Sequence, residues 1–391
     1  MFRLQIWQVM LPESEVIMEK QFKVVIIGFA HMHINDVGAH FAEHPRVDLC
    51  ACADTVPAMP ELRDAPYTRG WNLEFAKKKF GIKNVYKDYI EMLEKERPQL
   101  AIITSENARH AEIVEECAKR GVGACIEKPM ASSLSHAMRM MRASETYNTT
   151  LIVNWPSVWN PELHLMKKFS DEGRIGKLIE FKGRSNHTGP LGPGAEHKGV
   201  TDKAEPMSGI ERANTWWHQA DQGGGAMLDY CCYGCMLSYW FFEKPAISAF
   251  GMRGNFASQW SNAEDNAAMI VRYPDSYATV EANWTTYNDL IPHGPMLFGT
   301  EGAMTTDVKD GVGVVKILEP SGNVVYEKPG HLPEKLRDIA SAFVCYMDGE
   351  PLNIMLQPEF NLHSMAILDA GLRSADSGKM EIVNNAAWQI G

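Results

Sequence analysis

Gly28, Asp54, Lys128, Asp229 and Tyr233 are residues of this 391-residue chain whose types and positions point to chemistry. Gly28 ends the apolar, β-branched run from Lys23 to Ile27, and a polar, helix-like stretch follows. A strand, a tight glycine turn and a helix form a phosphate-binding unit, because the free N–H groups of the helix N-terminus hold a pyrophosphate. Asp54 closes the next apolar run, from Val47 to Ala53. An acidic side chain there can accept both ribose hydroxyls of a dinucleotide, which favours NAD over NADP. The glycine pattern is eroded. The ideal G-x-G-x-x-G reads Gly28-Phe29-Ala30-His31-Met32-His33. Ala30 still allows close backbone approach, but His33 replaces the glycine that lets helix and strand pack tightly. Asp229 and Tyr233 are four residues apart on an apolar helical stretch from Ala226 to Phe242, so they share a face.

The elements that must hold these residues alternate in type. Asn72 to Phe80 and Tyr89 to Arg97 read as amphipathic helices, and Gln99 to Ser105 as a buried strand. Asn107 to Arg120 is the next helix, and Gly123 to Glu127 the next strand, ending in Glu127-Lys128-Pro129. Strands and helices at this spacing predict an α/β fold with a doubly wound parallel Rossmann sheet. The carboxyl ends of such strands face the ligand crevice, so Gly28, Asp54, Thr104, Ser105 and Lys128 are expected to converge. Later in the chain, Leu178–Arg184, Ala246–Arg253, Asn266–Tyr273 and Tyr277–Thr285 are β-rich, with a turn at Pro274-Asp275-Ser276. Tyr277, Thr279, Glu281 and Asn283 alternate with Ala278, Val280, Ala282 and Trp284, which gives one face to a core. Leu332 to Met347 and Pro358 to Ser377 read as closing helices.

The length suggests two domains, divided here as residues 21–150 and 151–391. Residues 1–20 read as an N-terminal extension, with Met18 as the natural start. A net charge of -11 disfavours a nucleic-acid partner. No apolar run approaches the roughly 18 residues that span a bilayer, so no membrane partner is expected. Eight cysteines without framework spacing suit a reducing, cytoplasmic setting. Cys232 and Cys235 form a C-x-x-C with no second ligand pair, so buried thiols are expected there and no metal. Thr55 to Gly70 reads as a surface insertion near the adenosine end of the site. Its Arg63 and Arg69 are either solvated or within reach of a 2′-phosphate, which leaves NADP open.

Several segments in order resemble the Gfo/Idh/MocA oxidoreductases: VVIIGFA, Asp54, ITSENARHAE, CIEKP at 125–129, Gly176-Lys177-Leu178, GGGAMLDYCCYG at 223–234 and FGTEGAM at 298–304. The resemblance implies a C-terminal α/β domain built on a large, mostly antiparallel sheet whose open face makes a homodimer or homotetramer. It implies cofactor contacts from Gly28, Phe29, Ala30, His31, Met32, Asp54, Thr104, Ser105, Asn107, His110, Glu127 and Lys128. It places Lys128 beside the nicotinamide and the reacting carbon, after a Lys–Pro bond that is often cis in this family. A desolvated lysine beside a cationic ring has its pKa pushed down, toward the range useful for acid–base work. The family pattern usually has Asp-x-x-x-His where this chain has Asp229 and Tyr233. Asp229 is then a substrate ligand, or a carboxylate favoured by the helix dipole. Tyr233 either replaces the histidine as proton carrier or packs in the core.

A long, Gly- and Pro-rich stretch from Asn186 to Gln222 carries His187, His197, Trp216, Trp217 and His218. Loops of this length are usually functional or disordered. With Asn154 and Trp155, its aromatic rings and imidazoles suit a sugar or polyol. The expected function is an NAD-dependent dehydrogenase of a sugar, glycoside or cyclitol hydroxyl. Two alternatives stand beside it: a glycoside-cleaving or epimerising enzyme with retained NAD, and a non-catalytic NAD-responsive binding protein.

Overall fold

The computed structural model describes residues 22–285 and 294–386. The expected extension at 1–20, with Met18, lies outside them. The first unit is a six-stranded parallel sheet of β1 (Phe22–Ile27), β2 (Val47–Ala53), β3 (Asn84–Tyr86), β4 (Leu100–Ile103), β5 (Gly123–Glu127) and β6 (Leu151–Asn154). Its order is β3-β2-β1-β4-β5-β6, the doubly wound arrangement. β1, β4, β5 and β6 are buried almost throughout because helices cover both faces. These helices include α1 (Ile34–Glu43), α2 (Arg69–Phe80), α3 (Tyr89–Glu96), α4 (His110–Lys119) and α5 (Leu134–Tyr147). β6 falls in the stretch assigned from sequence to the second unit, yet Leu151 to Asn154 pair with Ala124 to Glu127 of β5.

The second sheet has nine strands: β7 (Leu178–Asn186), β8 (Ser248–Gly254), β9 (Asn266–Arg272), β10 (Tyr277–Asn283), β11 (Met296–Gly299), β12 (Ala303–Lys309), β13 (Val312–Leu318), β14 (Val324–Glu327) and β15 (Glu381–Ile382). Their order is β14-β13-β12-β11-β7-β10-β9-β8-β15. Among the described strands of this sheet, only β7 and β10 pair in parallel. The alternation read in β10 holds: Ala278, Val280 and Ala282 are buried, while Tyr277 and Glu281 are exposed. The second unit's helices are α6 (Pro161–Asp171), α7 (Gly209–Ala213), α8 (Cys232–Phe242), α9 (Ile339–Met347) and α10 (Pro358–Ser377). α8 packs on β7 and β10, and α10 on β8. The opposite face stays open, with Phe250 directly across from Ile270 and both exposed.

The single helix expected from 226 to 242 is two segments. Met227–Cys231 is a π-turn and α8 follows it. Such turns recur where a side chain must be re-aimed at a site. α8 is buried nearly all round, and Gly234 lets its backbone lie against the sheet. A Cβ there would collide with both methyl groups of Val280. Gly234→Val is therefore expected to lower stability by about 2 kcal/mol or more, because overpacking of about 1–3 kcal/mol exceeds the helix-propensity gain over glycine. Urea unfolding checks this; an unchanged midpoint would mean that the sheet yields without cost.

Candidate active site

Gly28 ends β1 with φ +85°, and a Cβ there would lie 2.8 Å from the Ser105 backbone. Only glycine meets both demands, so this turn is fixed by sequence. Its N–H donates to Ala53 O at 2.9 Å, and Thr104 Oγ1 donates to Gly28 O at 2.6 Å. The ends of β1, β2 and β4 are thereby tied together. Asp54 Oδ1 accepts from Phe29 N (3.0 Å), Thr55 N (2.8 Å) and Arg69 Nη1 (2.7 Å). Arg69 also donates to Glu106 through Nη2 and is 8% exposed. Neither sequence reading of Arg69 fits this geometry. It is neither solvated nor free for a phosphate, because two carboxylates hold it. Arg63 pairs with Glu205 and donates to Pro206 O at 2.9 Å, joining the two insertions. Burial lifts the Asp54 carboxyl above its usual range despite Arg69 and the two backbone donors.

Lys128 follows β5 and is 2% exposed. Its bond to Pro129 is cis. Nζ donates to Asp229 Oδ1 at 2.7 Å and to Asp229 O at 3.1 Å. Trp284 Nε1 donates to Asp229 Oδ2 at 3.2 Å. The Tyr233 ring centroid lies 4.7 Å from the ammonium and that of Tyr230 5.8 Å. The expectation of a depressed lysine pKa is corrected. Burial favours the neutral amine, but the Asp229 carboxylate outweighs it and holds the ammonium well above the usual lysine range. Asp229 is correspondingly held below the usual range, Lys128 overcoming the effect of burial. Tyr233, read from sequence as a proton carrier or a core residue, has its pKa raised as well. Burial raises its phenol further than Lys128 lowers it. Tyr233 presents its ring face to the lysine and stays protonated at neutral pH.

Glu127, fully buried, accepts from Asn154 Nδ2 at 2.6 Å, and its Oε2 lies 2.8 Å from His33 Nδ1. Among the remaining expected site residues, His31 N donates to Thr104 O and Met32 lines a cavity of about 240 Å³. Asn107 Nδ2 donates to Gly223 O at 2.8 Å, and His110 Nδ1 lies 3.1 Å from Met130 O. His187 stacks edge-on to Tyr230 at 5.0 Å, close to the Lys128 cluster. Three expected substrate residues sit further back. Trp155 is buried, with its N–H on Asn361 Oδ1 at 2.7 Å, and serves as a wall behind Tyr233. Trp217 packs against the His31 ring at 4.7 Å. His218 lies between Trp260 and Trp284, so Trp284 separates it from Asp229; burial lowers its pKa to about 3. Sequence reading missed Trp284, Tyr230, Glu106 and the site role of His33. Glu106 and His33 lie inside motifs quoted from the sequence, but their partners, Arg69 of α2 and Glu127 of β5, are distant in sequence.

The strand ends suit a polar dinucleotide. Asp54 Oδ2 has no donor among the described residues, and His31 Nε2, Asn107 Oδ1 and His110 Nε2 are buried without partners. Such groups are costly unless something fills their hydrogen-bonding capacity. Bound NAD would be held by the Gly28 turn and Asp54, with Lys128 at the far end of the groove. The insertion covers this turn: Trp216 Nε1 donates to Ala30 O at 2.7 Å. Although no metal group was expected, His31, His33 and Glu127 place one ligand atom each within 4.8 Å of one another. The described cysteines, including Cys232 and Cys235, are free thiols. No described helix is long and apolar enough to cross a membrane.

Residues 22–155 match the family described as oxidoreductases with an NAD-binding Rossmann fold, and residues 163–305 match the GFO/IDH/MocA C-terminal domain. Levoglucosan dehydrogenase of Pseudarthrobacter phenanthrenivorans is 24% identical over 59% of this chain and 60% of its own. D-apiose dehydrogenase of Paraburkholderia graminis is 32% identical over 27% of this chain and 28% of its own. The chain thus spans 60% or less of the length of either relative. Aldose-aldose oxidoreductase from Caulobacter crescentus, solved with glycerol, superposes with a TM-score of 0.71 at 15% identity, covering 93% of this chain and 99% of that one.

The buried ion pair has a defined stability signature. Asp229, with its lowered pKa, contributes above the unfolded carboxylate value near 4, and this is lost as pH falls through the lower folded value. Lys128, with its raised pKa, contributes below about pH 10.4, and this is lost as pH rises through the higher folded value. Between these limits, Lys128→Met is expected to cost about 3–5 kcal/mol by stranding Asp229, and adding Asp229→Asn to restore part of it. Urea unfolding of both variants checks this; simple additivity would show that the two charges are not coupled.

Proposed function

This chain belongs to the Gfo/Idh/MocA oxidoreductases, and we propose that it transfers a hydride between a nicotinamide cofactor and a hydroxyl-bearing carbon of a sugar, glycoside or cyclitol. The observation that carries the reading is Lys128 at the carboxyl end of β5, held by Asp229 across the cleft. The named relatives act on sugars, which supports the substrate class. Bound nicotinamide supplies the hydride acceptor or donor. The protein's own task is then the proton and the orientation of the substrate oxygen.

Two of the Lys128 N–H groups point at Asp229, which leaves the third for a substrate oxygen. An ammonium there stabilises a developing alkoxide and can protonate it. Resting protonation therefore already suits carbonyl reduction. In hydroxyl oxidation Lys128 must first lose its proton, so that direction should quicken as pH rises. Tyr233 and Tyr230 confine the ammonium with their ring faces, while Asn154 fixes Glu127. Asp54 binds the adenosine ribose, and the two carboxylates Asp54 and Glu106 share the single positive charge of Arg69, which leaves this end acidic overall and favours NAD over NADP. A second reading, NAD kept bound through transient oxidation and cleavage, is favoured by the Trp216 cover over the turn. Release of NADH during turnover separates the two. The setting proposed is cytoplasmic. The open face around Phe250 and Ile270 is proposed to pair two copies of the chain.

Lys128→Arg keeps the charge beside Asp229 but holds its protons too firmly to exchange them. It is expected to lower kcat on a responsive polyol by about 10²-fold or more with NADH affinity nearly unchanged. Steady-state kinetics with nucleotide titration is the check, and a near-normal kcat would remove Lys128 from proton transfer. For the assembly, Ile270→Lys, which replaces a side chain 52% exposed on the open face, is expected to yield monomers by light scattering. An unaltered mass would place the interface elsewhere.

A further inference from the structure

His31 and His33 occupy the turn after β1, where the ideal pattern has a variable residue and a glycine. The His33 imidazole pairs with Glu127 at the end of β5, and the His31 imidazole lies close by. One ligand atom from each lies within 4.8 Å of the others. His31 is 1% exposed, and its Nε2 is buried without a partner among the described residues. Glu127 is equally buried, and Asn154 holds its Oε1, leaving Oε2 beside His33 Nδ1. The rings of His31 and His33 are 4.3 Å apart. This buried imidazole nitrogen takes no part in the proton transfer assigned to Lys128, and no described protein group fills its hydrogen-bonding capacity. We propose that His31, His33 and Glu127 form a binding site for a divalent transition cation.

Two imidazoles and one carboxylate suit a borderline cation such as Zn²⁺ or Co²⁺, whereas Mg²⁺ and Ca²⁺ prefer all-oxygen sites. With metal–ligand bonds of about 2.0–2.2 Å, tetrahedral donors stand about 3.4 Å apart. The three groups need shifts of the order of an ångström to reach that spacing. The proton now shared between His33 Nδ1 and Glu127 moves to His33 Nε2 or to solvent. If His31 binds through Nε2, its proton moves to Nδ1, displacing the 3.2 Å contact from the His33 N–H. Asn154 then acts as the outer partner that aims the carboxylate, a role such neighbours commonly hold at metal sites. Three protein donors leave at least one position open, and Glu127 is the residue next to Lys128. The ion would therefore stand at the edge of the same cleft.

The test uses the tag-free full-length protein, stripped with chelator and titrated with Co²⁺ alone, without nucleotide or substrate. Its outcome is thus separate from that of the proposed reaction. One equivalent of Co²⁺ is expected to give visible ligand-field bands, to be displaced by Zn²⁺ and to resist Mg²⁺. His31→Ala and His33→Ala are each expected to weaken Co²⁺ binding by on the order of 100-fold. Thermal melts show whether these variants fold. If His33→Ala does not, His33→Gln keeps a hydrogen-bonding partner for Glu127 and should show the same loss. Absence of saturable Co²⁺ binding to the wild-type protein would overturn the proposal, as would unchanged affinity in the folded variants.

Discussion

The ion pair between Lys128 and Asp229 joins the two halves of the molecule. One partner follows the fifth strand of the parallel sheet, and the other lies in the π-turn before α8. Taking two charges out of water costs several kcal/mol each, and a single contact at 2.7 Å repays that only if the remaining lone pairs and protons are also met. Here they are. Trp284 takes the second carboxylate oxygen, the Asp229 carbonyl takes a second ammonium proton, and aromatic faces line the cation. The π-turn, the tight approach of α8 to the sheet and the end of β10 all serve this arrangement. Moving any one of them would leave a charge buried and incompletely bonded.

The same rule operates along the rest of the groove. Arg69 donates to both Asp54 and Glu106, and His33 sits on Glu127. Each buried carboxylate has a nitrogen donor from an element distant in sequence. This explains how three acidic residues can crowd the strand ends of an already acidic chain without forcing one another neutral. It also makes the second unit's insertion part of the cofactor side of the cleft, since Tyr67 bonds to both Asp202 and His197 across the gap.

Most of the first unit was legible because β1, β4 and β5 are short apolar runs with glycine or polar stops, and because strand ends converge in any such sheet. The alternation of β10 was equally readable. β3 escaped notice because its three residues are mostly exposed, and β6 because a four-residue apolar strand carries no period. The π-turn was invisible, since apart from Asp229 it continues the apolar run of the helix that follows. The site was legible as a set of positions but not as a set of charges. Spacing could bring Lys128 toward the crevice; it could not show that Asp229 would lie against it and reverse its expected shift. Likewise, Arg69 reads as an ordinary loop cation until Glu106 is placed beside Asp54.

The lone parallel pairing in the second sheet has its own consequence. β7 and β10 are neighbours running the same way, with Asn186 opposite Asn283, so both strands deliver their following residues to one rim. From that rim leave the segment that carries Trp216 and Trp217 and the strand end that carries Trp284. Residues 187–208 after β7 form neither helix nor strand, and the closure entropy of a loop grows only about 0.6 kcal/mol for each doubling. Residues can therefore be gained or lost between 187 and 215 with little penalty to sheet register. The covering of the cleft can drift in length and shape over evolutionary time while the ion pair beneath it stays in place.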